Sequence, residues 1–154
     1  MKKTLGWELG ISLGLGFALS RIVRIAITTG QSMEPTVKNK QLVLISCLEK
    51  PRVGDLIAFK SRQKKGPKIY LKRVIATGGD RVRIAYRQLY INGQLIKEPY
   101  LKEPMKYMPL AEIEVPNKHV FVMGDNRNNS LDSRKLGPIP LKDVIGVVKF
   151  ANRG

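Results

Sequence analysis

One cysteine, one histidine and an aromatic content of 6% limit the chemistry open to this 154-residue chain. Cys47 has no second cysteine to pair with, so cysteine usage carries no information on redox compartment. It lies in the apolar run 42–47 and reads as a buried strand residue. A thiol nucleophile needs a basic partner. His119 is the single histidine, and it falls in the alternating stretch 118–123, the pattern of a structural or surface position. Acidic residues are also scarce, with 12 Asp and Glu against 28 Lys and Arg and a net charge of +16. That excess asks for a polyanion nearby, either nucleic acid or an anionic membrane. The few aromatics, and cations scattered among strand-like segments, argue against a stacking platform or a basic reading helix. A diffusely basic face suits a chain tethered beside anionic lipid, where each Lys or Arg contributes roughly 1 kcal/mol. A merely solvated basic surface is the plainer account.

Long apolar runs are missing except at the amino terminus. Lys2 and Lys3 precede a stretch, 5–20, rich in Leu, Ile, Phe, Ala and Gly and interrupted by Glu8 and two serines. A spanning helix needs about 20 mostly apolar residues. The stretch reaches that length if the helix continues through Ile22, Val23, Ile25 and Ile27 with Arg21 and Arg24 snorkelling. Residues 1–27 are therefore expected to be one transmembrane anchor. Lys2 and Lys3 favour a cytoplasmic amino terminus, although Arg21 and Arg24 oppose it. Gly6, Gly10 and Gly14 place small side chains on one helix face, which allows close packing on another helix and leaves the oligomeric state open. Cleavage near Ala18 and Ser20, in the manner of a secretory signal, also stays open.

Helical periodicity is absent from the rest. Short β-branched runs at 42–47, 55–59, 69–76, 81–86, 88–91, 94–96, 119–123 and 144–150 alternate with turn residues, which predicts a mainly β, antiparallel domain over 28–154. Asn92-Gly93 is a hairpin signal because both turn positions need positive φ. Prolines at 99, 104, 109 and 116 make 98–117 an irregular connection, and 81–116 is expected to project as a small hairpin subdomain.

Three segments carry residues that such a domain does not need. In Gly30-Gln31-Ser32-Met33-Glu34-Pro35-Thr36, a serine beside glycine is held in a turn where backbone N–H groups can face outward, as an oxyanion requires. In Tyr70-Leu71-Lys72-Arg73-Val74, alternation sends the two cations to opposite faces. Burial of one would depress its pKa and make it a base near neutral pH. Gly124-Asp125-Asn126-Arg127-Asn128-Asn129-Ser130-Leu131-Asp132-Ser133-Arg134 is a dense polar cluster of the kind that satisfies itself internally and orients other groups. Each segment alone has an ordinary reading as a turn, an edge lysine or a solvated loop.

Together and in this order they resemble the boxes of bacterial type I signal peptidases, serine proteases with a Ser/Lys dyad. Val53-Gly54-Asp55 and Gly78-Gly79-Asp80 fit the same pattern. The resemblance implies a two-lobed β fold and cleavage of signal peptides from secreted preproteins after small residues of Ala-X-Ala type. It implies Ser32 as nucleophile, Lys72 as base and Ser130 as the hydroxyl that orients the lysine. It also implies support from Arg73, Asp125, Arg127, Asp132 and Arg134, and no metal or organic cofactor. Some members place a serine where Gly30 stands, so the oxyanion is expected to rest on backbone N–H groups at Gly30 and Ser32. Gln31, Met33 and Leu71 are the candidate walls for substrate. The expected location is the plasma or inner membrane, with a thylakoid membrane as the alternative and the catalytic domain on the extracytoplasmic side. The partners are preproteins and anionic phospholipid rather than nucleic acid. Maturation peptidases of organelles or conjugation systems share these boxes and remain the nearest alternative.

Overall fold

The computed structural model describes residues 22–63 and 66–151. The apolar stretch 5–20 lies outside them, and among the described residues no helix is long and apolar enough to cross a membrane. In chain order the strands are β1 (Val23–Ile27), β2 (Leu42–Ser46), β3 (Leu56–Gln63), β4 (Gly66–Thr77), β5 (Arg81–Ala85), β6 (Gln88–Ile91), β7 (Gln94–Leu95), β8 (Leu110–Glu114), β9 (His119–Met123), β10 (Ile139–Pro140) and β11 (Val144–Ala151). They form a seven-stranded sheet in the order β1-β2-β11-β3-β4-β9-β10 and a four-stranded sheet in the order β7-β6-β5-β8. All pairings are antiparallel. A short α-helix, α1 (Ser133–Leu136), is capped by Asp132, whose side chain accepts from the Arg134 N–H.

Three expectations are corrected. Residues 23–27, assigned above to the anchor helix, form the edge strand β1, with Val23 opposite Ser46 and Ile27 opposite Leu42. Their β-branched side chains at alternate positions suit a pleated surface once β2 is available as a partner. Within the supposedly irregular 98–117, Leu110–Glu114 forms β8 and pairs with β5; Pro109 and Pro116 bracket the strand rather than break it. Cys47 lies just past β2 and is only half-buried.

The Asn92-Gly93 turn has the expected positive φ at both residues, 51° and 79°. The β5–β6 hairpin makes the same kind of turn with Tyr86 and Arg87, at 50° and 65°. Arg87 is held there by a bond from its Nε to Met105 O.

The small sheet does not stand apart. Val82, Ile84 and Leu89 share one buried cluster with Ile75 and Ala76 of β4 and with Phe121 and Met123 of β9. A second cluster, including Ile57, Phe59, Val74 and Val122, lies along the middle of the large sheet. A third, of Met33, Val37, Val43, Ile45 and Ala58, sits beneath the turn that carries Ser32.

Candidate active site

Ser32 occupies the loop between β1 and β2. Gly30 adopts φ of 99°, and its N–H donates to Asn39 Oδ1 at 2.9 Å. Within the turn, Glu34 N–H donates to Gln31 O at 3.2 Å and Val37 N–H to Met33 O at 2.9 Å. Met33 and Val37 drop into the core, at 3% and 2% exposure, and their burial fixes the turn from below. Asn126 fixes it from the side: its N–H donates to Ser32 O at 3.1 Å, and its Nδ2 to Gln31 O at 3.1 Å. The Gly30 N–H, expected to help bind an oxyanion, is already engaged by Asn39. The Ser32 N–H pairs with nothing among the described residues.

Lys72 and Arg73 point to opposite faces of β4, as alternation requires. Lys72 is 2% exposed. Its Nζ donates to Ser32 Oγ at 2.6 Å and to Leu71 O at 2.8 Å. Burial removes water from the ammonium and pulls its pKa down to about 8, against the opposing charges of Asp132 and Asp125. An amine at that value is neutral often enough near physiological pH to take a proton from the hydroxyl it touches.

On the other face Arg73 forks onto Asp125, Nε to Oδ1 at 2.8 Å and Nη2 to Oδ2 at 2.6 Å, and its Nη1 donates to Gly54 O at 2.8 Å. Thr36 Oγ1 donates to the same Asp125 carboxylate, tying the Ser32 turn to it. Arg134 forks onto Asp132, with Nε and Nη2 each at 2.9 Å. Burial works against the charge of Asp132, but Arg134, then the Gly124 N–H and Ser130, keep its pKa below the ordinary carboxylate value. Arg127, buried, donates to Gly124 O at 3.0 Å and pairs with Glu98. Ser130 Oγ is buried and makes no hydrogen bond of full geometry. The expected bond between Ser130 and Lys72 is thus not formed, because the amine is turned toward Ser32 and Leu71.

Beside Ser32 and Lys72 opens a cleft of about 500 Å³. One wall is the chain from Ala26 to Gly30 and the other runs from Lys68 to Lys72, with Met33, Val43, Ile45 and Ala58 between them. Met33 and Leu71 line it as expected. Gln31 does not, because its side chain is exposed to solvent. His119 sits at the far end of β9, roughly 13 Å of strand from Met123, and its Nδ1 contacts Asn117 O at 2.9 Å.

The profile described as signal peptidase, peptidase S26, matches residues 3–152. The chain belongs to the signal peptidase family. It is 34% identical to signal peptidase I S of Bacillus subtilis (strain 168), over 97% of this chain and 89% of that one. Signal peptidase I U of the same strain is 38% identical, over 75% and 67%. The chloroplastic thylakoidal processing peptidase 1 of Arabidopsis thaliana is 32% identical, over 75% of this chain and 37% of the relative. The solved structure of a signal peptidase I from Enterococcus faecalis V583 superimposes with a TM-score of 0.57 at 30% identity, over 66% and 98% of the two chains. As a signal peptidase of type I, the chain is a serine endopeptidase.

Three residues that shape this signal peptidase's site had no role of their own in the sequence: Gly124 and Asn126 stood only as members of the third segment, and Glu98 only as the start of the proline-rich connection. Asn126 clamps the serine turn, Glu98 neutralises Arg127, and Gly124 separates Ser32 from Ser130. A β-carbon on Gly124 would fall 2.4 Å from Ser130 Oγ and 2.5 Å from Ser32 O. Position gave the one available signal for Gly124: a glycine ending an apolar strand often marks close backbone approach. Gly124→Ala is expected to displace the serine turn, lowering peptidase activity by about 10-fold or more for a stability loss of about 1–3 kcal/mol. Rates measured beside a melting curve check this, and normal activity would refute the spacer role.

Proposed function

We propose that this enzyme removes amino-terminal signal peptides from secreted preproteins, using Ser32 as nucleophile and Lys72 as general base. The observation that carries the reading is the 2.6 Å contact between a buried lysine amine and a half-buried serine hydroxyl at the edge of an apolar cleft. Neutral Lys72 takes the Ser32 proton as Oγ attacks the scissile carbonyl. The ammonium so formed protonates the departing amine, and water activated by the same lysine hydrolyses the acyl-enzyme. The Ser32 N–H is the backbone donor free to meet the oxyanion. The Arg73–Asp125 and Arg134–Asp132 pairs brace the two segments that carry the site. No metal or organic cofactor enters the scheme.

Substrate lies in the cleft as an extended strand, its backbone pairing with the walls at 26–30 and 68–72. Met33, Val43, Ile45 and Ala58 leave an apolar space without a cation or carboxylate at its floor, which suits the small side chains of an Ala-X-Ala signal. Ile25, Ile27 and Ile69, all at least 66% exposed, flank the cleft. With the basic surface, they support a catalytic domain resting on the extracytoplasmic face of an anionic membrane, held by a single anchor in the amino-terminal stretch.

The working base must be neutral, so kcat/KM is expected to climb about tenfold per pH unit on the acid side and level off above a pKa of about 8. A rate profile on an Ala-X-Ala peptide tests this, together with His119→Ala, which is expected to keep most of its activity. An acid limb that disappears in the His119 variant would move the base to histidine and end the lysine reading.

A further inference from the structure

The connection leaving the small sheet after β7 runs across the outer side of the site and contacts it repeatedly. Glu98, with a carboxylate 6% exposed, makes a forked ion pair with the Arg127 guanidinium, which is 0% exposed. The Tyr100 hydroxyl donates to the same carboxylate at 2.8 Å, and its ring lies 4.0 Å from the Arg73 guanidinium. Lys102 pairs with Glu34 of the serine turn at 2.7 Å, and its N–H reaches Asp125 O at 3.4 Å. None of the three lines the cleft.

Two linkages lead from this segment to the reacting pair. Arg127, fixed by Glu98, holds the Gly124 carbonyl, and Gly124 is the spacer between Ser32 O and Ser130. Arg73, stacked on Tyr100, holds both oxygens of Asp125, which accepts the Thr36 hydroxyl from the serine turn. A loop that merely needed closing would be served as well by apolar contacts, since a buried ion pair seldom adds net stability over them. What a forked pair supplies is a fixed geometry.

We propose that 98–102 is a positioning strap: Glu98 and Tyr100 act through Arg127 and Arg73 to set where Ser32 meets Lys72, and so govern kcat rather than substrate binding. The proposal rests on the Ser32–Lys72 reading given above. Glu98→Gln and Tyr100→Leu are expected to lower kcat by about 10-fold or more, with KM within about two-fold of the parent. Glu98→Gln also strands a buried cation, so the double variant Glu98→Gln/Arg127→Met serves as its partner. It is expected to recover the melting temperature and not kcat, because Gly124 still lacks its donor. Full kcat in the folded double variant and in Tyr100→Leu would overturn the strap, as would a rise in KM with kcat unchanged. Ser32→Ala in the same assay separates the two ideas: activity there defeats the dyad, while an inactive Ser32→Ala beside an active Glu98→Gln defeats the strap alone.

Discussion

Ser32→Ala and Lys72→Met are each expected to reduce kcat/KM on a signal peptide by about 10⁴-fold or more, and Lys72→Met is expected to melt at a higher temperature than the parent. The activity loss follows from the scheme, since Lys72 is the amine hydrogen-bonded to the Ser32 hydroxyl, and the guanidinium groups of the site do not give up a proton. The stability gain follows from burial. Lys72 has a native pKa of about 8 against an ordinary 10.5, so between those values the unfolded chain binds more protons and stability rises with pH. Below about 8 the amine is charged in both states, and keeping it buried costs the native state about 3 kcal/mol. Methionine fills the same space without the charge. The carboxylates of Asp125 and Asp132 lose little, because each retains its own guanidinium. Thermal melts of parent and Lys72→Met at neutral pH and above pH 10 test the point, with the gain expected to shrink at the higher pH. A folded Lys72→Met that is less stable than the parent at neutral pH would contradict it.

Asp132→Ala carries the largest expected loss of stability, about 3–5 kcal/mol. Its carboxylate is fully buried and accepts from the Gly124 N–H at 3.0 Å as well as from Arg134. Truncation leaves a guanidinium 3% exposed without a counter-ion, an unpaired N–H at the spacer and α1 without its cap. A lower urea midpoint with an unchanged slope is the expected observation. The native pKa of Asp132 lies below its unfolded value. Its contribution is therefore present above the ordinary carboxylate pKa and lost as pH falls through the depressed one. The variant and the parent should accordingly converge in strong acid, and a constant gap down to that range would show that the charge is not what holds the site.

Alternation within β4 was enough to place Lys72 and Arg73 on opposite faces, because a strand's side chains have no other choice. The central strands were likewise legible, since β-branched runs between turn residues leave few alternatives. Residues 23–27 were merged with the expected anchor for a physical reason: apart from Arg24 they are apolar and follow an apolar stretch, and only β2, paired from another part of the chain, makes them a strand. β8 was hidden because prolines at both ends looked like interruptions. At the site, the residue types near Ser32, Lys72 and Ser130 were readable, but their partners were not. Glu98 is an ordinary acid in a proline-rich connection until Arg127 is brought to it, and Asn126 is one polar residue among many until its amide meets Gln31. Gly30 shows the converse, because its location was correct while Asn39 had already claimed its N–H.

The order of strands in the large sheet decides what keeps Ser32 and Lys72 together. Ser32 is carried by the β1–β2 side and Lys72 by the β3–β4 side, and in the sheet the two sides are joined through β11, which pairs with both β2 and β3. That strand is Val144–Ala151, the last in chain order among the described residues. Without β11 the two halves of the sheet lack the strip that joins them, and long-range pairings of this kind are slow to form. The Ser32–Lys72 contact is in this way tied to the docking of a strand that carries neither residue, so loosening β11 is expected to part the pair before either half of the sheet comes undone.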